Sequence, residues 1–144
     1  MIKIICVGKI KEQYLKDAIW EYKKRISKYH KLEIIELPDN SIEEEGNAIL
    51  KVINDKDYVI TLEIEGQMID SIEFSNRIEK IFIEHSNITF IIGGSDGLSD
   101  KIKAISNFKL SFSKMTFPHQ LFRVILLEQI YRAFKIMKNE TYHK

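Results

Sequence analysis

The chain has 144 residues, 44% hydrophobic and 30% charged, with six Gly, two Pro and a formal net charge of +1. That length suits a single domain over residues 1–144, and that composition excludes a disordered, collagenous or disulfide-stapled chain. A near-neutral total argues against a general polyanion binder, and one cysteine, Cys6, allows no internal disulfide.

Residues 2–7 form the first apolar, β-branched run and predict a strand, with Cys6 inside it as core filler rather than a nucleophile. The run is too short for a signal peptide, and no apolar stretch approaches the roughly 18 residues of a membrane span. A soluble, cytoplasmic protein is expected. Next, Tyr14, Leu15, Ala18, Ile19, Tyr22 and Ile26 share one helical face, while Lys16, Lys23 and Lys24 lie largely off it. A second strand follows at 32–37. Pro38-Asp39-Asn40-Ser41 then reads as a turn, with Asn40 or Ser41 capping a helix over 42–54.

A third strand is predicted at 58–64, a helix at 70–85, a fourth strand at 88–92, a Ser99-capped helix at 99–106 and a weaker, alternating strand at 108–113. The last helix, 120–137, is apolar over most of its circumference. One sheet covers only one side of such a helix, so a second subunit is expected on another, making a homodimer. Strict strand and helix alternation predicts an α/β fold, a parallel sheet with helices on both faces.

Charge is uneven along the chain. Residues 9–31 hold eight Lys/Arg against three acidic residues, 32–46 hold six acidic residues and no basic one, and 101–144 hold nine Lys/Arg against two. Two basic segments flanking an acidic one suit either solvated helix faces or a phosphate-contacting surface.

Ligands of open parallel sheets collect at the carboxyl ends of the strands. Four such ends stand out: Gly8-Lys9, Glu63-Ile64-Glu65-Gly66, Gly93-Gly94-Ser95-Asp96-Gly97, and the stretch from Ser113 to His119. Gly93 and Gly94 follow a buried strand, where a missing Cβ permits close backbone approach; a plain strand-to-helix turn explains them equally well. Residues 112–117 end at Pro118 and read either as a connecting loop or as an irregular wall able to read an adenine edge. Neither GxGxxG nor GxxxxGK[ST] occurs, so a dinucleotide or P-loop site is unsupported. The four histidines have no metal-ligand spacing, and no metal is expected. His119 is read as a local cap or hydrogen-bonding residue, and the terminal Tyr142-His143-Lys144 as a tail that frays unless tied down.

Several of these stretches together carry a resemblance. Thr61-Leu62-Glu63-Ile64-Glu65-Gly66, then Phe90-Ile91-Ile92-Gly93-Gly94-Ser95-Asp96-Gly97-Leu98, then residues 110–120, then Glu128-Gln129-Ile130-Tyr131-Arg132-Ala133-Phe134-Lys135-Ile136, and the terminal Tyr142-His143-Lys144 resemble the ribosomal RNA large subunit methyltransferase H family (RlmH) of the SPOUT superfamily. The likeness spans essentially the whole chain and is weakest over 38–49, where members carry a longer segment.

The resemblance implies a SPOUT-type fold with a C-terminal deep trefoil knot, a homodimer, and S-adenosylmethionine bound in the knot. It implies methylation of N3 of a pseudouridine in 23S ribosomal RNA of assembled ribosomes; a ribosome-binding assembly factor without catalysis is the alternative. Carried onto this chain, the cofactor contacts fall on Leu62, Gly93, Phe112, Ser113, Lys114, Met115, Thr116 and Phe117. His143 and Tyr142 are the expected catalytic groups, with Arg132 and Lys144 as electrostatic helpers and His119 as an alternative base. RNA contact is expected from Lys9, Lys11, Lys23, Lys24 and Arg25 in one basic segment and from Arg123, Arg132, Lys135 and Lys138 in the other.

Overall fold

The computed structural model describes residues 1–144. Five strands alternate with five helices: β1 (Ile2–Val7), α1 (Gln13–Ile26), β2 (Leu32–Leu37), α2 (Ile42–Lys51), β3 (Tyr58–Met68), α3 (Ser71–Glu84), β4 (Ile88–Ile92), α4 (Asp100–Ile105), β5 (Phe108–Ser111) and α5 (His119–Met137). All strand pairs are parallel, in the order β2-β1-β4-β3-β5. β1 and β4 lie inside the sheet and are buried along their whole length, which is why they read as continuous apolar runs.

Three of the five helix starts follow the chemistry of their caps. Ser41, Asp70 and Ser99 accept hydrogen bonds from the amides of Glu44, Glu73 and Ile102 at 3.2, 2.8 and 3.4 Å. Each such cap contributes about 1 kcal/mol.

Three element ends differ from expectation. α2 stops at Lys51 because Asn54 turns its amide to the Asp57 carboxylate at 3.0 Å. β5 stops at Ser111, whose hydroxyl donates to the Ser113 carbonyl at 3.1 Å and folds the chain into a loop. β3 runs past residue 64 to Met68, but both Leu62 and Gln67 pair with Leu110, so the four residues between them bulge out of the ladder. Gly66 permits this: a Cβ there would lie 2.8 Å from the Lys109 backbone.

Both sheet faces are covered, as expected. Ile2, Ile4, Cys6, Ile60, Phe90 and Leu110 pack beneath α1, α3 and α5, while Ile5, Val7, Val59 and Ile91 pack with Ile49 of α2 and Ile102 of α4. The apolar circumference of α5 is satisfied in part inside the chain, while Phe122, Val124, Ile125, Ile136 and Met137 stay half-buried. The helix packs between α1 and α3 and buries Leu126, Leu127, Ile130, Ala133 and Phe134, leaving Leu121 as its exposed large apolar residue.

Arg123 corrects the expectation of an RNA-facing residue. It is 2% exposed, donates from Nη2 to the carbonyls of Val7 and Gly8, each at 2.8 Å, and meets Glu36 Oε2 through Nη1 at 2.8 Å. Basic composition counts charges but does not record which side of α5 they occupy.

At the amino ends of the strands, Lys3 and Asp57 form a buried pair at 3.4 Å. Lys3 also donates to the Val52 carbonyl, and Asp57 accepts from Asn54, Asn87 and Thr89. Burial by itself would raise the Asp57 pKa, but the Asn54 amide, the Lys3 charge and the Thr89 and Asn87 hydrogen bonds outweigh it and hold the carboxyl below its usual range. The depressed pKa adds stability that is complete above the unfolded value, about 3.9, and is lost as pH falls below it. Asp57→Ala leaves Lys3 buried and unpaired and should cost about 3–5 kcal/mol in urea unfolding. Lys3→Met added to that variant should recover part of the loss. Wild-type stability should fall more steeply below about pH 4 than that of Asp57→Ala.

Candidate functional site

At the carboxyl ends of β3, β4 and β5 lies a cavity of about 470 Å³. Its first wall is the β3 bulge, with Leu62, Glu63, Ile64 and Glu65. Its second is the loop after β4, with Gly93, Gly94, Ser95, Gly97 and Leu98, joined by Lys103 from α4. Its third is the segment after β5, with Phe112, Ser113, Met115, Thr116 and Phe117, joined by His119 and Phe122 from the first turn of α5.

Each wall has a local cause. Gly97 has φ of +83°, its amide bonds the Gly94 carbonyl at 3.0 Å, and the loop closes so tightly that a Cβ on Gly93 would lie 2.7 Å from the Gly97 oxygen. The segment after β5 is held by the Met115 amide donating to Ser113 Oγ at 2.9 Å. Phe122 braces it from α5, its ring 5.0 Å from Phe112 and 5.8 Å from Phe117.

Of the eight residues assigned to the cofactor by resemblance, seven line this cavity: Leu62, Gly93, Phe112, Ser113, Met115, Thr116 and Phe117. Lys114 is exposed and is not part of the lining. His119 forms no side-chain hydrogen bond at the α5 start, where Pro118 is the N-cap; it faces the cavity instead. Phe122 had a signal in the sequence, an aromatic one turn past the Pro118 break. Lys103 had none, being one lysine among several on a short helix.

Arg132, Tyr142 and His143 are brought together, but elsewhere. None lines the cavity. They gather around Glu128: Arg132 Nη2 lies 2.9 Å from Glu128 Oε2, Tyr142 Oη donates to Oε2 at 3.1 Å, and Arg132 Nη1 lies 3.1 Å from His143 Nδ1. The Arg132 guanidinium also stacks over the Tyr142 ring at 4.7 Å. The tail is thus tied down rather than frayed. Burial, then the adjacent Glu128 charge and the hydrogen bond to it, push the Tyr142 phenol up to about 12. In this arrangement Tyr142 is a hydrogen-bond donor, not a free base. A smaller cavity of about 280 Å³, lined by Asp70, Ser71, Phe74 and Gln129, shares Leu110 and Phe112 with the larger one. Gln129 bonds Ser71 on one side and Glu128 on the other, connecting that cavity to the tail cluster.

Residues 1–143 match the family model described as "Predicted SPOUT methyltransferase". The chain belongs to the SPOUT methyltransferase family. Its relatives include proteins named ribosomal RNA large subunit methyltransferase H from Clostridium perfringens, 55% identical, and from Clostridium botulinum, 56% identical, each alignment covering 99% of both chains. Among solved structures, a probable methylase family protein of Haemophilus influenzae aligns at TM-score 0.60 and 13% identity over 99% of this chain and 70% of that one. The tRNA (m1G37) methyltransferase of Aquifex aeolicus aligns at 0.56 and 14%, over 91% and 69%. These two share the fold.

The chain's larger cavity has the chemistry of a ligand cleft. Its walls combine aromatic rings with a glycine loop that a single Cβ would fill, the pattern of an apolar cleft that also brings backbone polar groups to a ligand. Such a lining suits an organic ligand. Glu128→Gln removes the charge that helps to hold the Tyr142 proton but leaves its burial. Difference titration of tyrosinate absorbance against Tyr142→Phe should show the Tyr142 step moving from about 12 toward the ordinary value near 10, without reaching it.

Proposed function

We propose that this methyltransferase transfers the methyl group of S-adenosylmethionine to N3 of a pseudouridine in 23S ribosomal RNA of assembled ribosomes. The observation that carries the reading is the full-length likeness, at 55% identity, to proteins named ribosomal RNA large subunit methyltransferase H. It is supported by a cavity whose lining contains seven of the eight residues that the resemblance assigns to the cofactor.

When bound, S-adenosylmethionine supplies a methyl group on a sulfonium sulfur, already electrophilic and in need of no metal. What remains for the chain is to hold the acceptor nitrogen in line and to take its proton. Phe112, Phe117 and Phe122 exclude water, and the glycine loop admits the ligand to backbone contact. Proton removal and stabilisation of the anionic base fall to His143 and Arg132, with Tyr142 as their hydrogen-bonded support. RNA phosphates are met by Lys9, Lys11, Lys23, Lys24 and Lys138, which are exposed. Arg25, Arg132 and Lys135 are already paired with Glu21, Glu128 and Glu140.

Because Arg132, Tyr142 and His143 lie outside the cavity of their own chain, we infer a homodimer in which the tail of one subunit completes the cavity of the other. The single domain 1–144 and the trefoil knot belong to the same reading. In its support, α5 leaves the edge strand β5 and returns to the end of β1 through Arg123.

Gly93→Ala forces the loop apart and should weaken S-adenosylmethionine binding by about tenfold or more in calorimetry, the effect of a cavity overpacked by about 1–3 kcal/mol. His143→Ala should retain that binding and lose single-turnover methylation of 70S ribosomes or 50S subunits. Wild-type turnover in His143→Ala removes the histidine from the mechanism, and wild-type protein that binds ribosomes without transferring methyl favours the assembly factor. Light-scattering chromatography should give the mass of two chains. At S-adenosylmethionine concentrations too low to load Gly93→Ala, mixing it with His143→Ala should restore methylation if the tail acts across the dimer, and should not if it acts within one chain.

A further inference from the structure

Three charged side chains line the larger cavity: Glu63 and Glu65 from the β3 bulge and Lys103 from α4. None of the three takes part in an ion pair of the chain. Glu63 is nevertheless oriented. The buried Thr61 hydroxyl donates to its Oε2 at 2.6 Å, and Ser106 Oγ lies 2.7 Å from that hydroxyl and 3.0 Å from the Phe108 carbonyl. Its other oxygen receives no hydrogen bond from the chain.

An oriented carboxylate with an unclaimed oxygen, in the same cavity as a lysine without an acid, suits an α-amino acid zwitterion. Ammonium donates to carboxylate, and carboxylate accepts from lysine. The balance of charge agrees. Two acids and one base give the lining a net negative charge, whereas S-adenosylmethionine carries a sulfonium, an ammonium and one carboxylate, a net positive charge.

We propose that Glu63 and Lys103 form the subsite for the methionine end of S-adenosylmethionine, Glu63 accepting from the α-ammonium and Lys103 donating to the α-carboxylate. Glu65 adds negative field that favours the sulfonium substrate over its uncharged thioether product. The proposal rests on the S-adenosylmethionine reading above. A strand-end carboxylate can instead take ribose hydroxyls, but that use leaves Lys103 without a role.

The test is calorimetry of wild type, Glu63→Gln and Lys103→Gln with S-adenosylmethionine, S-adenosylhomocysteine and 5′-methylthioadenosine, which lacks the amino acid end. Each variant should bind the first two about tenfold more weakly, the loss of one charge-assisted hydrogen bond, and bind 5′-methylthioadenosine within about twofold of wild type. Unchanged thermal unfolding should accompany both, since the amide oxygen introduced by Glu63→Gln still accepts from Thr61 and Lys103 makes no ion pair to lose. Equal weakening of all three ligands by Glu63→Gln assigns the carboxylate to the nucleoside and overturns the proposal, as does no weakening of any. Wild-type protein that binds none of the three overturns the methyl-donor reading itself.

Discussion

Parallel strands end in carbonyls that point out of the sheet, and here two of them, on Val7 and Gly8, are taken by one guanidinium buried in the C-terminal helix. Arg123 reaches them from α5 and also meets Glu36, so the ends of β1 and β2 and the start of the last helix are held as one body. Glu36 is partly open to water, which screens that ion pair; the two carbonyl bonds, with the guanidinium shielded, are the firmer part of the tie. The Arg123 Nε is left without a partner, which costs on the order of 1–3 kcal/mol. Because Phe122 is the preceding residue in the chain, fixing Arg123 also fixes the ring that braces Phe112 and Phe117. The wall of the cavity is therefore set by a contact on the far side of the same helical turn.

The cavity itself comes from departures from regular structure at three adjacent strand ends. β3 bulges, β4 ends in a glycine loop, and β5 gives way to a segment that bonds to itself through Ser111 and Ser113. Regular continuation of any of these strands would have placed side chains where the cavity now opens. The rigid centre makes this possible: β1 and β4 are wholly buried and covered on both faces, so irregularity is confined to one rim. At the opposite rim the buried Lys3 and Asp57 pair, with its Asn and Thr partners, closes the sheet.

The tail follows another logic. Glu128 gathers Arg132, Tyr142 and, through Arg132, His143 into one hydrogen-bonded group on the outer side of α5. Such a group holds its members in fixed orientation before any substrate arrives, while engaging the phenol and the guanidinium with each other and with the acid. Within one chain this group stands apart from the cavity.

Element type and order were legible in the sequence because hydrophobic period reports burial directly: 2–7 and 88–92 as inner strands, Ser99 as a cap, the 14–26 stripe as a helix face. The positions of the glycine loop and of residues 112–117 at strand ends were legible for the same reason. Tertiary structure decided what depends on contacts far apart in the chain. It buried Arg123 against carbonyls more than a hundred residues away, where a count of basic residues placed it outside. It covered α5 with α1 and α3, where the sheet alone could not, and lengthened β3 through a bulge that Gly66 allows against β5. It placed Glu63 under a hydroxyl relay from the distant Ser106, and set the tail apart from the cavity. Local pattern states which residues leave water; only the assembled packing states which distant groups they meet.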